Sequence, residues 1–288
     1  MYKINILKNF IKRIFNFFYL SVLIKLKLMI QSFKTIKKIQ PTHNLPHELV
    51  ISLTSYPKRF KTLHHVIKSL LMQSIKPNKI ILWIQIEHKE ELNKEIVELT
   101  KYGLEINFCK NYKSYNKIVH SLIEESNRYI ATFDDDILYS KNALKCLVEA
   151  SKLNPGHVVS NRIHKIKLNK DSMPMPYKSW YWDYLINDQI ELNFLTGVGG
   201  SLYPPKTFNK DVLRLDLINK LSPHADDIWL NWMLRLNGKK IIRTKFKEKL
   251  LEIPDYKNDG LRTLNVNNGL NDEQILKMID YFGFVFNK

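Results

Sequence analysis

The sequence predicts an α/β fold in which helices flank a mostly parallel, Rossmann-like central sheet. From Glu48 onward, apolar runs of strand length alternate with stretches whose apolar residues recur at helical spacing. Such alternation is typical of parallel sheets, which bind ligands beyond the carboxyl ends of their strands. The 288 residues are 44% hydrophobic and 11% aromatic, so they can fill one large core. Residues 45–288 are therefore expected to form the main domain.

The predicted elements follow one another closely along the chain. Leu49–Thr54 is a continuous apolar run that predicts the first strand, and a loop is expected at 55–59. Further helices are predicted at 63–74, 90–102, 115–127 and 226–237, and further strands at 79–84, 104–108 and 128–133. Cys109 and Cys146 are too few for a disulfide framework and favour free thiols in a reducing compartment.

Residues 1–44 form a separate basic segment. The net charge is +17, and no Asp or Glu precedes Glu48. At about 100° per residue, the basic side chains of residues 8–38 except Lys25 fall within roughly 140°, as in an amphipathic helix. The apolar run 14–24 is shorter than the roughly 20 residues that a membrane span needs. We expect residues 1–40 to lie on an anionic membrane, at the cytoplasmic face of the plasma membrane. A signal peptide, a short tilted span and a helix packed on the protein's own core are the alternatives.

Three consecutive carboxylates end the last strand of this series. Asp134, Asp135 and Asp136 directly follow the apolar run 129–133. Carboxylates this close repel one another, and a divalent cation offsets that repulsion. Asp134 and Asp136, at alternate positions, suit Mn²⁺ or Mg²⁺, which are commonly held by one or two carboxylates and substrate phosphates. A solvated acidic turn is the alternative.

Five motifs together resemble a bacterial glycosyltransferase of the GT-A fold, of the family-2-like type with a DxD motif. The resemblance runs from about residue 48 to the end of the chain. In chain order, the motifs are Thr54–Arg59, Lys117, Asp134–Tyr139, Gly199–Pro205 and Asp226–Trp229.

The resemblance implies a nucleotide-diphosphate sugar bound by residues 45–140. Asp134 and Asp136 would hold the metal. Asp136 would be the direct ligand, Asp134 would be the second ligand or a partner of the ribose or sugar hydroxyls, and Asp135 would anchor the turn beside the donor. The other donor-binding candidates are Thr54 and Tyr56 at the base and Arg59 and Lys117 at the nucleotide or diphosphate. Trp83 and Trp180 are expected to pack in the interior rather than to stack on the base.

Residues 141–288 would hold the acceptor, a glycan or a lipid-linked sugar of cell-surface polysaccharide or lipopolysaccharide assembly. The resemblance places the general base of an inverting hexosyltransferase at Asp227, with Asp226 as second choice, and at least one of the two is expected to cap a helix. The aromatic run 173–184 predicts either a sugar-binding surface, a lid or simple packing.

One departure from the family concerns the third metal ligand. Many such enzymes use a late histidine, but no histidine follows His224; Asp255, Asp259, Asn271 or water are the substitutes.

Two other functions remain open. A metal-dependent nucleotidyltransferase or phosphohydrolase also uses clustered carboxylates, although a Gly-rich phosphate loop is missing. Nucleic-acid binding fits the net charge, but the basic excess lies in the apolar N-terminal segment, so no nucleic-acid partner is expected.

Overall fold

The computed structural model describes residues 38–253 and 269–286. Its strands are β1 Leu49–Thr54, β2 Lys79–Gln85, β3 Leu104–Cys109, β4 Tyr129–Thr132, β5 Ile137–Leu138, β6 Val158–Ser160, β7 Ile163–Lys165, β8 Asn193–Leu195, β9 Ser201–Tyr203, β10 Ile241–Arg243 and β11 Leu251–Glu252. Its α-helices are α1 Pro57–Leu71, α2 Lys94–Val97, α3 Asn116–Glu124, α4 Ala143–Leu153, α5 Leu215–Leu221, α6 Asp226–Leu236 and α7 Leu270–Phe282.

Seven strands form the central sheet in the order β10-β6-β9-β4-β1-β2-β3. The pairs β1/β2, β2/β3, β1/β4 and β6/β10 are parallel, whereas β9 runs antiparallel to both β4 and β6. Two two-stranded ladders, β5/β11 and β7/β8, lie beside it. The predicted α/β class with a mostly parallel sheet is confirmed.

The sheet is buried on both faces. Leu49, Ile51 and Leu53 of β1 pack in a cluster with α1 and α4, whereas Val50 packs with Ile81 on the opposite face. A second cluster joins α3, α6 and α7. This two-sided burial explains why β1 is a continuous apolar run, as parallel strands covered by helices are.

Most predicted boundaries agree with the structure, and two differ. α1 begins at Pro57, inside the expected loop. Proline is favourable at the first helical position, because the N–H that it lacks would have no hydrogen-bond partner within the helix there. The helix expected at 90–102 is instead two 3₁₀ segments, Ile86–Glu91 and Glu98–Tyr102, around the single turn of α2. Asn93 accepts a hydrogen bond from the Ile96 N–H at 3.0 Å and so begins α2.

The amphipathic membrane-associating segment lies mostly outside the described residues, because the structure describes the chain only from residue 38. Within 38–253 and 269–286, no helix is both long enough and apolar enough to cross a bilayer. The proposed boundary between residues 1–44 and 45–288 stays a prediction.

Candidate functional site

The acidic turn lies at the carboxyl end of β4, where the sequence places it. The Asp134 N–H donates to Tyr139 Oη at 2.8 Å, and the Asp136 carbonyl accepts from the Ile253 N–H at 2.7 Å. Asp135 is buried, whereas the side chains of Asp134 and Asp136 are 20% and 35% exposed. The turn is therefore fixed by its backbone, with the first and third carboxylates more accessible than the second.

Arg59, from the first turns of α1, pairs with two of these carboxylates. Its Nη1 contacts Asp135 Oδ1, and its Nη2 lies 3.0 Å from Asp136 Oδ2. Burial lowers the pKa of Arg59, but Asp135 and Asp136 outweigh this and raise it above its ordinary value. The guanidinium of Arg59 holds the acidic turn, and its predicted contact with the nucleotide or diphosphate stays a prediction.

Lys117 joins the two acidic motifs. Its Nζ lies 2.8 Å from Asp134 Oδ1 and 3.1 Å from Asp226 Oδ2, and its side chain is only 9% exposed. Burial alone would lower the pKa of Lys117, but Asp134, Asp226 and Asp227 raise it well above its ordinary value. Lys117 is therefore a buried cation between Asp134 of the acidic turn and Asp226 at the start of α6.

A buried hydrogen-bond network fixes the helix that carries Lys117. Trp83 Nε1 of β2 donates to Ser52 Oγ at 3.1 Å and to Ser121 Oγ at 2.9 Å. Ser52 Oγ of β1 in turn donates to the Lys117 carbonyl. Strands β1 and β2 thus hold α3 through polar atoms. Trp83 and Trp180 are 1% and 4% exposed, which confirms that both pack in the interior.

Asp226 and Asp227 open α6, but neither caps it. The N-cap is Ala225, and both aspartates lie in the first helical turn, so the expectation that one of them is the cap is wrong. The Gly197 N–H donates to both carboxylate oxygens of Asp227, at 3.0 and 3.1 Å. Burial raises the pKa of Asp227 to about 7, and repulsion from Asp226 adds to the effect while Lys117 opposes it.

These groups line one cavity of about 740 Å³. The predicted donor-binding residues, the two metal ligands and the two base candidates all line it: Thr54, Tyr56, Arg59, Lys117, Asp134, Asp135, Asp136, Asp226 and Asp227. A Cβ on Gly197 would lie 3.0 Å from Lys117 Nζ and 3.3 Å from an oxygen of both Asp134 and Asp227. Glycine at 197 therefore lets the two acidic motifs approach each other.

The cavity also contains residues that sequence reasoning did not assign to a site. Glu252 enters through the pairing of β11 with β5, and Arg162 and His164 come from the chain around β7. No local pattern marks them, since each reaches the cavity through a contact distant in sequence. Asn271, named above only as a substitute metal ligand, lies at the start of α7 and lines the cavity. Asp255 and Asp259 lie outside the described residues.

The carboxylates of the acidic turn offer oxygen ligands to a divalent cation. In the described part of the chain, no three His, Cys, Asp or Glu side chains stand ready to hold a metal by themselves. Burial raises the pKa of Asp136 to about 7; Arg59 opposes the shift, and Asp134, Asp135 and Glu252 add to it. A divalent cation would add to the positive charge of Arg59 and Lys117 and reduce the remaining repulsion among the three carboxylates. Asp134 and Asp136 therefore fit a metal bound jointly with substrate phosphates.

No protein-family model and no curated protein matches the chain. Among solved structures, it is similar to the mannosyltransferase PcManGT from Pyrobaculum calidifontis in complex with GDP-Man and Mn²⁺, at 11% identity and a TM-score of 0.48. That alignment covers 91% of this chain and 72% of the other. The chain is also similar to S. aureus TarS 1–349 in complex with UDP, at 14% identity and a TM-score of 0.46, covering 81% of this chain and 66% of the other.

Proposed function

We propose that this chain is a metal-dependent glycosyltransferase that moves a sugar from a nucleotide-diphosphate sugar to an acceptor hydroxyl. The shared cavity carries this proposal. In it, Lys117 joins a turn suited to a cation and a diphosphate to Asp226, and the next residue, Asp227, has a carboxylate suited to accept a proton. Both groups sit beyond the carboxyl ends of parallel strands, where such sheets bind ligands.

The donor end of the cavity would bind the diphosphate. Asp134 and Asp136 would hold Mn²⁺ or Mg²⁺, which when bound stabilises the negative charge that builds on the leaving oxygens. Arg59 keeps the acidic turn in place, and Lys117 adds a fixed positive charge beside Asp134. Thr54, at the end of β1, is the proposed edge of the base pocket together with its neighbour Tyr56.

Asp227 is the proposed general base. The acceptor oxygen would bond to the anomeric carbon while the bond from that carbon to the diphosphate oxygen breaks, with its electron pair left on the diphosphate. The proton of the acceptor hydroxyl would go to Asp227, whose pKa of about 7 suits this transfer near neutral pH. Asp226 is less suited, since its carboxylate pairs with Lys117. A single displacement of this kind inverts the configuration at the anomeric carbon.

The wider role that we propose is hexosyl transfer in a bacterial cell-surface polysaccharide or lipopolysaccharide pathway. The acceptor would be a glycan or a lipid-linked sugar at the inner face of the plasma membrane. This part rests on the family resemblance and on the basic, apolar residues 1–40. A variant lacking residues 1–40 should no longer sediment with anionic vesicles, and continued sedimentation would contradict the membrane role.

Thermal stabilisation by a panel of nucleotide-sugars, with and without Mn²⁺, tests the donor site. A ligand at a hundred times its Kd stabilises the native state by about 2.7 kcal/mol, which is roughly 5–11 °C for a chain of this size. One nucleotide class should give this shift only with Mn²⁺, and Asp136→Asn should lose it. Asp280→Asn, an exposed aspartate on α7, is the matched control and should keep it.

Product analysis separates the proposed reaction from phosphoryl chemistry. A glycosyltransferase releases the nucleoside diphosphate, so this product should accumulate with the stabilising donor and Mn²⁺. Release of pyrophosphate or inorganic phosphate would instead identify a nucleotidyltransferase or a phosphohydrolase. Absence of stabilisation by every donor, in a folded sample, would refute the proposed donor site.

A further inference from the structure

Two neighbouring aliphatic side chains are exposed on the acceptor half of the chain. Leu185 and Ile186 are each 61% exposed. Of the aromatic run described above, Tyr177 and Trp180 are buried and pack in the interior, whereas Tyr181 is 50% exposed. Single exposed apolar residues are common, but adjacent ones form patches that mark contacts with a partner or a lipid surface. The segment 181–187 is therefore a candidate interaction surface that the proposed reaction does not use.

Hydrogen bonds hold this segment on two sides. Tyr181 and Lys165 of β7 each donate a backbone N–H to the carbonyl of the other, at 3.1 and 2.9 Å. On the other side, Asn187 Oδ1 accepts from the Arg243 N–H of β10 at 2.8 Å, and Asn187 Nδ2 donates to the Arg243 carbonyl at 2.7 Å. The two aliphatic side chains are thus presented by a backbone that is fixed between β7 and β10.

The chain that leaves β10 beside this segment is basic. The stretch 239–249 contains six Lys and Arg and one Glu. Lys245, Lys247 and Lys249 are exposed, whereas Phe246 between them is buried in the core and anchors the stretch. Within the described part of the chain, none of these three lysines has a carboxylate at ion-pair distance. Their charge is therefore available to an anionic partner.

The carboxylates on or beside this surface leave that charge largely in place. They are Asp183, Asp188, Glu191 and Glu248. Asp183 lies 3.4 Å from Arg243 Nη2, and Asp188 lies 3.1 Å from Lys165 Nζ. Burial lowers the pKa of Arg235 to about 10, and Glu191 opposes the shift, so Glu191 also faces a cation. Only Glu248, between Lys247 and Lys249 in the chain, is left to oppose the three lysines.

An apolar pair beside unpaired lysines matches the surface of an anionic bilayer. Aliphatic side chains can enter the boundary between headgroups and acyl chains, and lysines meet the lipid phosphates. We infer that the folded domain docks on an anionic lipid bilayer through one surface, here called the docking surface. It comprises Tyr181, Leu185, Ile186, Lys245, Lys247 and Lys249.

The docking surface adjoins the cavity. Trp182, the residue after Tyr181, lines the cavity, as does Arg162 in the connection between β6 and β7. Docking would place this wall of the cavity next to the lipid headgroups. The inference rests on the proposed function, adds a contact of the folded domain to that of residues 1–40, and favours a lipid-linked acceptor over a free glycan.

A fluorescent label on the full chain tests where the lipid lies. Leu185→Cys carries the environment-sensitive dye NBD in a Cys146→Ser background, because Cys109 is buried and should not be labelled. With vesicles of phosphatidylglycerol and phosphatidylcholine, the emission at 185 should shift to the blue and be quenched by lipids that carry a spin label on the acyl chain. Vesicles of phosphatidylcholine alone should give little change.

Ile123→Cys in the same background is the control. Ile123 is 58% exposed at the end of α3, just before β4 begins. It therefore lies toward the amino ends of the parallel strands, whereas the docking surface lies beyond the carboxyl end of β10. The label at 123 should stay in water with every vesicle.

Replacing the three lysines by glutamine provides a second measurement. A lysine near an anionic surface strengthens binding about fivefold, so Lys245→Gln, Lys247→Gln and Lys249→Gln should each weaken vesicle binding by about that factor. The matched set Lys94→Gln, Lys101→Gln and Lys110→Gln removes the same charge from exposed positions elsewhere and should bind normally. All six side chains are exposed, so the variants should fold, which their melting temperatures verify.

The outcomes separate this inference from the wider proposal. Binding to anionic vesicles with the label at 185 still in water, or equal binding by both lysine sets, would overturn the docking surface and leave the role of residues 1–40 intact. No binding of the full chain to anionic vesicles would overturn both. A blue shift at 185 that grows with protein concentration without lipid would identify a second copy of the chain as the occupant and overturn the bilayer. Stabilisation by nucleotide-sugars tests the transferase without lipid.

Discussion

Replacing Lys117 by methionine should reveal how strongly this one cation supports the site. The ammonium lies 2.8 Å from Asp134 and 3.1 Å from Asp226, and its side chain is 9% exposed. Methionine keeps an unbranched apolar side chain of similar length, so the main loss is the charge. Both aspartates would then be left without this cation in a poorly solvated place.

The magnitude follows from the burial of the pair. Removing one partner of a buried ion pair typically costs about 3–5 kcal/mol, because the other charge remains desolvated. At 2–4 °C per kcal/mol, the melting temperature of Lys117→Met should fall by roughly 6–20 °C. Lys94→Met is the matched control: its side chain is 85% exposed and its ammonium lies 3.9 Å from Glu98, so the loss should stay below about 1 kcal/mol.

The pH dependence provides a second readout of the same variant. Without Lys117, the pKa of Asp227 should rise further, because the ammonium that opposes its increase is gone. The difference in unfolding free energy between wild type and Lys117→Met should therefore shrink as the pH falls from 7.5 to 5. Urea denaturation at both pH values measures it. A loss below about 1 kcal/mol at pH 7.5, or an equal loss at both pH values, would refute this account of Lys117.

Three further predictions concern other parts of the structure. Gly197→Ala places a methyl group 3.0 Å from Lys117 Nζ and forces that ammonium to shift by a few tenths of an ångström, so Mn²⁺-dependent stabilisation by donors should weaken; an unchanged shift would show that the motifs can separate freely. Burial lowers the pKa of His64, and that of His65 to about 4, below the unfolded value of about 6.5. Stability should therefore fall as the pH drops from 6.5 towards 4, and less so in a variant with both histidines changed to Gln, as measured by urea denaturation. Trp83→Phe leaves two buried serine hydroxyls without their indole donor and should cost about 1–3 kcal/mol; a smaller loss in thermal unfolding would argue against the network that fixes α3.

Local pattern was enough to predict the α/β class and the place of the acidic turn. The β1 strand agrees to the residue, since an apolar run of six between polar loops can be buried on both faces of a sheet. The helix expected at 90–102 was wrong, because the same apolar spacing is also satisfied by short 3₁₀ turns that tertiary packing selects. Asp134 and Asp136 were placed at the carboxyl edge by strand order alone.

The sequence by itself determined the class of fold, the acidic turn at the end of β4 and the basic character of residues 1–44. Only the tertiary structure decided which polar groups meet: Arg59 pairs with the acidic turn, and Lys117 bridges two distant acidic motifs. Among the described residues, it also leaves Asn271 Oδ1 buried without a hydrogen-bond partner. The reason is physical. The periodic spacing of apolar residues is visible within a short stretch of sequence and predicts which face of a helix or strand is buried. Ion pairs and unsatisfied polar atoms depend instead on distances between residues far apart in sequence, which only the packed chain sets.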